Sequence, residues 1–359
     1  MTGRRHVCAL ALAVATMMAP QPSFAAADAL PEVRVQPIDY LVGGWELYRS
    51  RFVTDEGRVV DDDNGAISHS EGQGYGMLLA VAAGDRPSFE KLWNWTSQEL
   101  FIRKDGLAAW RWDPGAEPRV TDMNDASDGD LLIAWALLRA AEAWNVPEWR
   151  GSATRIADAV AELAVKPAGS RSVLMPAVSG FSAGEQPDGP VVNLSYWVFP
   201  AIEDLSAVSP TLAKANLSQS GRDLAASARF GEQGLPSDWI SLAKGTPAPA
   251  RSFPAMFGWN AVRVPLYLAW SGPAERDLLA SYRESWGTAG PKIVDLDTGL
   301  VIDPLPAAGY GAIADLVACA LDGRPAGDAT RNFEPTTYYP STLHLLSLLA
   351  LAERYPRCL

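Results

Sequence analysis

Two kinds of helical segment alternate along this chain, and the alternation limits the folds open to it. Segments beginning near residues 70, 127, 193, 255, 309 and 338 are rich in Ala, Gly and aromatic residues and apolar nearly all round. Segments beginning near 87, 147, 210 and 273 carry Glu, Lys and Arg along one face, and a further helical pattern begins near 39. A helix apolar on every side has to be buried, whereas an amphipathic one covers a core. Strand-like alternation is confined to short pieces such as 58–60 and 293–301. The pattern predicts an all-α fold with a few short strands: inner helices wrapped by an outer ring, an (α/α)6 toroid. An irregular helical bundle is the alternative. In a toroid the inner helices run the same way, so their N-termini share one rim and residues distant in sequence meet there.

Two acidic motifs stand at such helix starts. Ser70-Glu71-Gly72-Gln73 has the S-x-x-Q spacing of a capping box, and Ser127-Asp128-Gly129-Asp130 the related S-x-x-D spacing. Capping explains acids at the positive end of a helix dipole. It does not explain the glycines against both acids, or the aromatics Tyr75 and Trp135 beside them. Paired carboxylates with aromatic walls suit glycoside hydrolysis, where one acid protonates the leaving oxygen and a second group activates water or attacks. Thirteen Trp in 359 residues add to this, since sugar rings stack on aromatic faces. His69 reads as a local hydrogen-bonding group. Asp122, Asp125 and Asp238 read as loop acids, each also a reserve candidate for activating water.

The first residues read as a secretory signal, 1–26. Arg4 and Arg5 precede an apolar run from Cys8 to Met18, too short to span a bilayer, and Ser23-Phe24-Ala25 fits a cleavage site. Residues 27–359 are then expected to form one exported catalytic domain, secreted or periplasmic, without stable membrane insertion. Losing the two arginines takes the formal charge from −12 to −14. So acidic a chain is a poor partner for nucleic acid or an anionic membrane and suits a neutral polymer, without excluding a cationic one. Cys319 and Cys358 remain after cleavage; a disulfide pinning the C-terminal tail and two separate thiols are both open. Neither forms a CxxC pattern, and no Gly-rich phosphate loop or dinucleotide fingerprint follows a strand-like run. No cofactor or metal is expected.

The run Ala126-Ser127-Asp128-Gly129-Asp130-Leu131-Leu132-Ile133-Ala134-Trp135 and the run Ser70-Glu71-Gly72-Gln73-Gly74-Tyr75-Gly76 resemble motifs of glycoside hydrolase family 8. That family comprises inverting (α/α)6 enzymes, including bacterial cellulases of cellulose-synthesis operons. Gly106-Leu107-Ala108-Ala109-Trp110, Asn193-Leu194-Ser195-Tyr196 and Leu235-Pro236-Ser237-Asp238-Trp239 resemble further family segments in the family's order, so the likeness spans roughly 40–350. The resemblance implies Glu71 as proton donor and Asp128 as an active-site carboxylate, described as nucleophile, base or sugar-holding group. It implies that Trp110, Tyr196 and Arg263 line a sugar cleft; Tyr75 beside the acid motif, Asn260 and Tyr338 at the last inner helix start are taken as further substrate-side positions. Many members carry Tyr-Asp-Ala-x-Arg with the Asp as base, where this chain reads Trp259-Asn260-Ala261-Val262-Arg263. Asn260 takes no proton at neutral pH, which makes Asp128 the first choice for base, ionised and raising the pKa of Glu71. The function implied is an exported endo-β-1,4-glucanase acting with inversion on a β-linked polysaccharide, functionally associated with a cellulose synthase complex. Chitosanase, xylanase and mixed-linkage glucanase are the same-fold alternatives, and a non-catalytic glucan-binding protein the alternative of another class.

Overall fold

The computed structural model describes Met1 and residues 39–169, 171–272 and 275–359. Apart from Met1, the expected signal segment lies outside the described residues. The described residues from Asp39 to Leu359 form one compact unit. Its helices are α1 (Asp39–Phe52), α2 (Ser70–Ala82), α3 (Arg86–Glu99), α4 (Ser127–Trp144), α5 (Pro147–Leu163), α6 (Phe199–Ser206), α7 (Pro210–Ala215), α8 (Leu217–Ser227), α9 (Val264–Ser271), α10 (Arg276–Trp286), α11 (Ala308–Asp322), α12 (Asp328–Arg331) and α13 (Tyr338–Arg354).

Six of these close a ring: α2 packs on α4, α4 on α6, α6 on α9, α9 on α11, α11 on α13, and α13 back on α2. They are the all-round apolar segments, and α2 and α4 are buried over most of their length. The others cover them, with α1 on α13 and α2, α3 on α2, α5 on α4, α7 and α8 on α6, α10 on α9 and α11, and the short α12 on α11 and α13. This is the (α/α)6 toroid that the alternation predicts. Its seam is tied where α1 meets α13, by a 2.9 Å hydrogen bond between Tyr48 Oη and Thr342 Oγ1.

Small residues let the inner helices approach. A Cβ on Gly74 of α2 would stand 2.6 Å from Leu132 Cβ of α4, and one on Gly129 would stand 2.7 Å from the backbone nitrogen of Glu71. Both are closer than carbon atoms pack.

Neither capping box forms. α2 is capped by His69, whose side chain accepts from Gly72 N, while Ser70 Oγ is buried without a partner. Gln73 points away from the cap: Oε1 accepts from Val59 N (2.6 Å) and Nε2 donates to Thr96 Oγ1 (2.7 Å). At α4 no side chain caps the helix; Ser127 Oγ donates to Met175 O and Asp130 Oδ1 accepts from Ala108 N, each at 2.8 Å. These starts are buried, so Gln73, Ser127 and Asp130 satisfy neighbouring groups that water cannot reach.

Two inner helices begin later than periodicity predicts. Asn193 caps a 3-10 turn, Leu194–Tyr196, before α6. The segment near 255 opens as a strand, Met256–Phe257, and a turn, Ala261–Arg263, before α9. Pro200 and Pro265 sit in the first turns that follow, where a fixed φ and a missing N–H are tolerated. Met256–Phe257 pairs with Lys292–Asp295, which pairs with Val301–Pro304, all antiparallel. Cys319 and Cys358 are bonded, with Cα atoms 6.2 Å apart, and tie the tail to α11. No described helix is long and apolar enough to cross a membrane.

Candidate active site

Four of the six inner helix starts line one cleft. A cavity of about 840 Å³ is lined by Asp61, His69 and Glu71 near α2, by Trp259, Asn260 and Arg263 before α9, by Asp303 to Ala307 and Tyr310 at α11, and by Thr337 to Pro340 at α13. Arg263 ties in the remaining two. Its Nη2 donates to Ser195 Oγ of the turn before α6 (2.9 Å), and its Nη1 lies 3.6 Å from Asp128 Oδ2 of α4.

Arg263, itself 2% exposed, is the electrical centre of the site. Nη1 stands 2.5 Å from Glu71 Oε1 and also donates to Tyr75 Oη at 3.3 Å; Nη2 reaches Asn260 Oδ1 at 3.2 Å. One cation thus serves two carboxylates, whose facing oxygens are held within about 6 Å of each other. Burial pushes Glu71 up, but the Arg263 guanidinium outweighs it, and its pKa falls below the ordinary value. Asp128 is pushed up to about 7, first by burial and then by the charge on Glu71. The order is the reverse of the sequence expectation, in which Asp128 stays ionised and raises Glu71. The cause is geometric. Glu71 holds the shorter ion pair and keeps 18% of its side chain in solvent, whereas that of Asp128 is 2% exposed and Oδ2 has no hydrogen-bond partner.

Asp128 is also poorly placed as a base. An inverting pair needs about 6.5–9.5 Å between carboxyl groups to admit water, and the facing oxygens of this pair share one guanidinium nitrogen, which leaves no water between them. Asp128 does not line the cavity either, being sealed behind Arg263 and Glu71.

Tyr75 is wholly buried and outside the cavity lining, its hydroxyl paired with Tyr267 and Arg263, so it supports Arg263 from behind. Trp135 is a core residue, its Nε1 bonded to Asp204 and its ring edge-on to Trp270; two turns into α4, it has left the rim. Tyr338 lines the cavity, buried, with an unpartnered hydroxyl. Tyr196 is half-buried, its ring 6.0 Å from the Arg263 guanidinium. Trp110 lies outside the cavity lining. Its Nε1 bonds Asp122 (2.9 Å), and its backbone carbonyl accepts from Ser70 N at the start of α2. Asp125 accepts from Val178 N, and Asp238 accepts from Gly258 N (3.0 Å) and Ala261 N (2.7 Å). Asp238 therefore fixes the loop that carries Asn260, and none of the three loop acids lines the cavity.

Several cleft residues escaped the sequence reading. Trp259 is 46% exposed on the rim, backed by Tyr310, with its carbonyl held by Tyr339 Oη. An aromatic beside Asn260 in a loop was the available signal. Asp61, Asp63 and Asp303 make the cleft acidic; the run Asp61-Asp62-Asp63 looks like an ordinary solvated turn in sequence. Among the described residues no three His, Cys, Asp or Glu gather as a metal site.

Known proteins agree with this picture. The family described as Glycosyl hydrolases family 8 matches residues 13–353. An endoglucanase of Cellulomonas uda is 36% identical over 290 residues, 79% of each chain. A probable endoglucanase of Novacetimonas hansenii is 37% identical over 321 residues, 88% of this chain and 92% of that one. Among solved structures, the endo-β-1,4-glucanase CMCax from Acetobacter xylinum superposes with a TM-score of 0.78 at 37% identity, covering 88% of this chain and 98% of its own. A family 8 endo-β-1,4-glucanase from an Achatina fulica gut metagenomic library gives 0.78 at 36%, covering 87% and 98%. With the family matched over nearly its whole length and its ring of helices closed around Glu71, Asp128 and Arg263, the chain belongs to glycoside hydrolase family 8.

Proposed function

We propose that the protein is an exported endo-β-1,4-glucanase that cleaves cellulose-like chains with inversion, Glu71 acting as general acid. The observation that carries this reading is Glu71 at the wall of the cleft beside Arg263. Two named endoglucanases at 36–37% identity over most of their length support the substrate. The Cys319–Cys358 bond supports export, since disulfides persist in oxidising compartments. A role in trimming nascent bacterial cellulose beside a synthase complex follows from the family likeness.

In the free site the proton rests on Asp128, and Glu71 is ionised against Arg263. A bound chain that separates Glu71 from Arg263 removes the ion pair that lowers the Glu71 pKa, and Arg263 turns to Asp128. Glu71 then takes up the proton and passes it to the leaving glycosidic oxygen. Asn260 orients rather than deprotonates. The proton of the attacking water goes to a cleft carboxylate without a cation partner among the described residues, which leaves Asp63 and Asp303.

Glu71→Gln is expected to lower cellulose hydrolysis by about 10²–10⁴-fold. The α-anomer should appear first in NMR of early products; the β-anomer first would assign retention. Whichever of Asp63→Asn and Asp303→Asn abolishes turnover identifies the base, and activity in both removes this account of the water. The acid-lined cleft favours one second reading, a cationic amino-sugar polymer, which faster release from chitosan than from cellulose would establish.

A further inference from the structure

His69 is the residue nearest the chemistry that the mechanism leaves unused. It lines the cleft, and both ring nitrogens are committed. Nδ1 accepts the Gly72 N–H at 3.0 Å, the bond that caps α2. An accepting Nδ1 places the ring hydrogen on Nε2, which stands 3.5 Å from Asp61 Oδ2. Asp61 is held in turn: its Oδ1 accepts from Asp63 N (3.3 Å), and its backbone N–H donates to Ile67 O (2.9 Å). On the far side the ring meets Tyr338 edge-on, with centroids 5.6 Å apart. Gly72 completes the clamp, since a Cβ there would lie 2.8 Å from Tyr338 Oη and 3.2 Å from the imidazole.

Glu71 sits between the cap and the residue that is capped. Ser70, which has the commoner capping side chain, has turned its hydroxyl inward and does not hold this turn. Arg263 grips the Glu71 carboxyl at its tip, while the imidazole bond to Gly72 N is the side-chain cap that holds the turn from which it projects. We propose that His69 is a positioning residue for Glu71, its ring set by Asp61 so that the first turn of α2 aims the carboxyl at the leaving oxygen. This rests on the reading of Glu71 as proton donor.

The test compares His69→Leu, His69→Asn and Glu71→Gln on cello-oligosaccharides and on a β-cello-oligosaccharyl fluoride, whose leaving group needs no proton. Asn is a strong helix cap and restores the acceptor without the ring. His69→Leu should lose about 10–100-fold in kcat on the oligosaccharide, with KM within about 2-fold, and less than about 3-fold on the fluoride. His69→Asn should recover the oligosaccharide rate to within about 3-fold of wild type. Equal losses on both substrates in His69→Leu, with Glu71→Gln sparing the fluoride, would overturn the role of His69 alone. A folded His69→Asn no faster than His69→Leu would do the same. If Glu71→Gln loses both substrates equally, Glu71 is not the donor and the proposal falls with it.

Discussion

Arg263 shows how one buried residue can set the charge of a whole site. Two carboxylates within reach of a single guanidinium cannot both be well compensated out of water, so one holds a proton. With Asp128 pushed up to about 7 and Glu71 held low, the free enzyme has a proton to deliver only below about pH 7. The expected outcome is kcat/KM falling as pH rises through 7, read from the pH–rate profile; a flat profile to pH 8 would refute it. The same shift bears on stability. Asp128 has a folded pKa above its unfolded value, so its contribution is fully present below about pH 4 and is lost as pH rises through about 7. Thermal unfolding of wild type and Asp128→Asn across that range should show wild type losing ground to the variant. The carboxylates and Arg263 were legible as motif residues. Their relative pKa values were not, because the order depends on a 2.5 Å contact between Glu71 and a residue 192 positions away.

Among the elements, the α2–α4 contact deserves most weight, since it sets the distance between the two acids. Gly129 meets the turn that carries Glu71, with no space for a methyl group. Gly129→Ala should cost about 1–3 kcal/mol by overpacking and reduce turnover further than that loss explains, because α2 must shift to admit it. Circular dichroism melts with kcat on the same samples would check this; full turnover in a destabilised variant would refute it. The C-terminal clasp is a second element-scale device. Bridging residues 39 apart is worth about 3–4 kcal/mol, so Cys319→Ser should lower the melting temperature by several degrees, and added reductant should do the same to wild type alone. Helix identity along the ring was readable from periodicity, as was the alternation of inner and outer layers. Where α6 and α9 begin was not, because 3-10 turns and the sheet strand at Met256–Phe257 intervene. The caps were misread for a related reason. Ser70 and Ser127 carry the right residue type, but the toroid buries both starts, turning Ser127 to Met175 O and leaving the Ser70 hydroxyl without a partner.

For the molecule as a whole, a closed ring gathers six helix starts on one rim, which is why residues from 61 to 340 share a cleft. It also gives the cleft a sign. Asp61, Asp63, Glu71 and Asp303 face it, and among the described residues Arg263 is its one arginine, on a chain of formal charge −12. A soluble cellulose made by carboxymethylation brings its own negative charges to that wall. Such a substrate should be under-read in dilute buffer: its KM should fall as salt rises to about 0.2 M and the screening length shrinks below about 10 Å, while neutral cello-oligosaccharides show no change. Ranking this enzyme against relatives by its rate on the substituted polymer would then measure ionic strength and degree of substitution as much as catalysis.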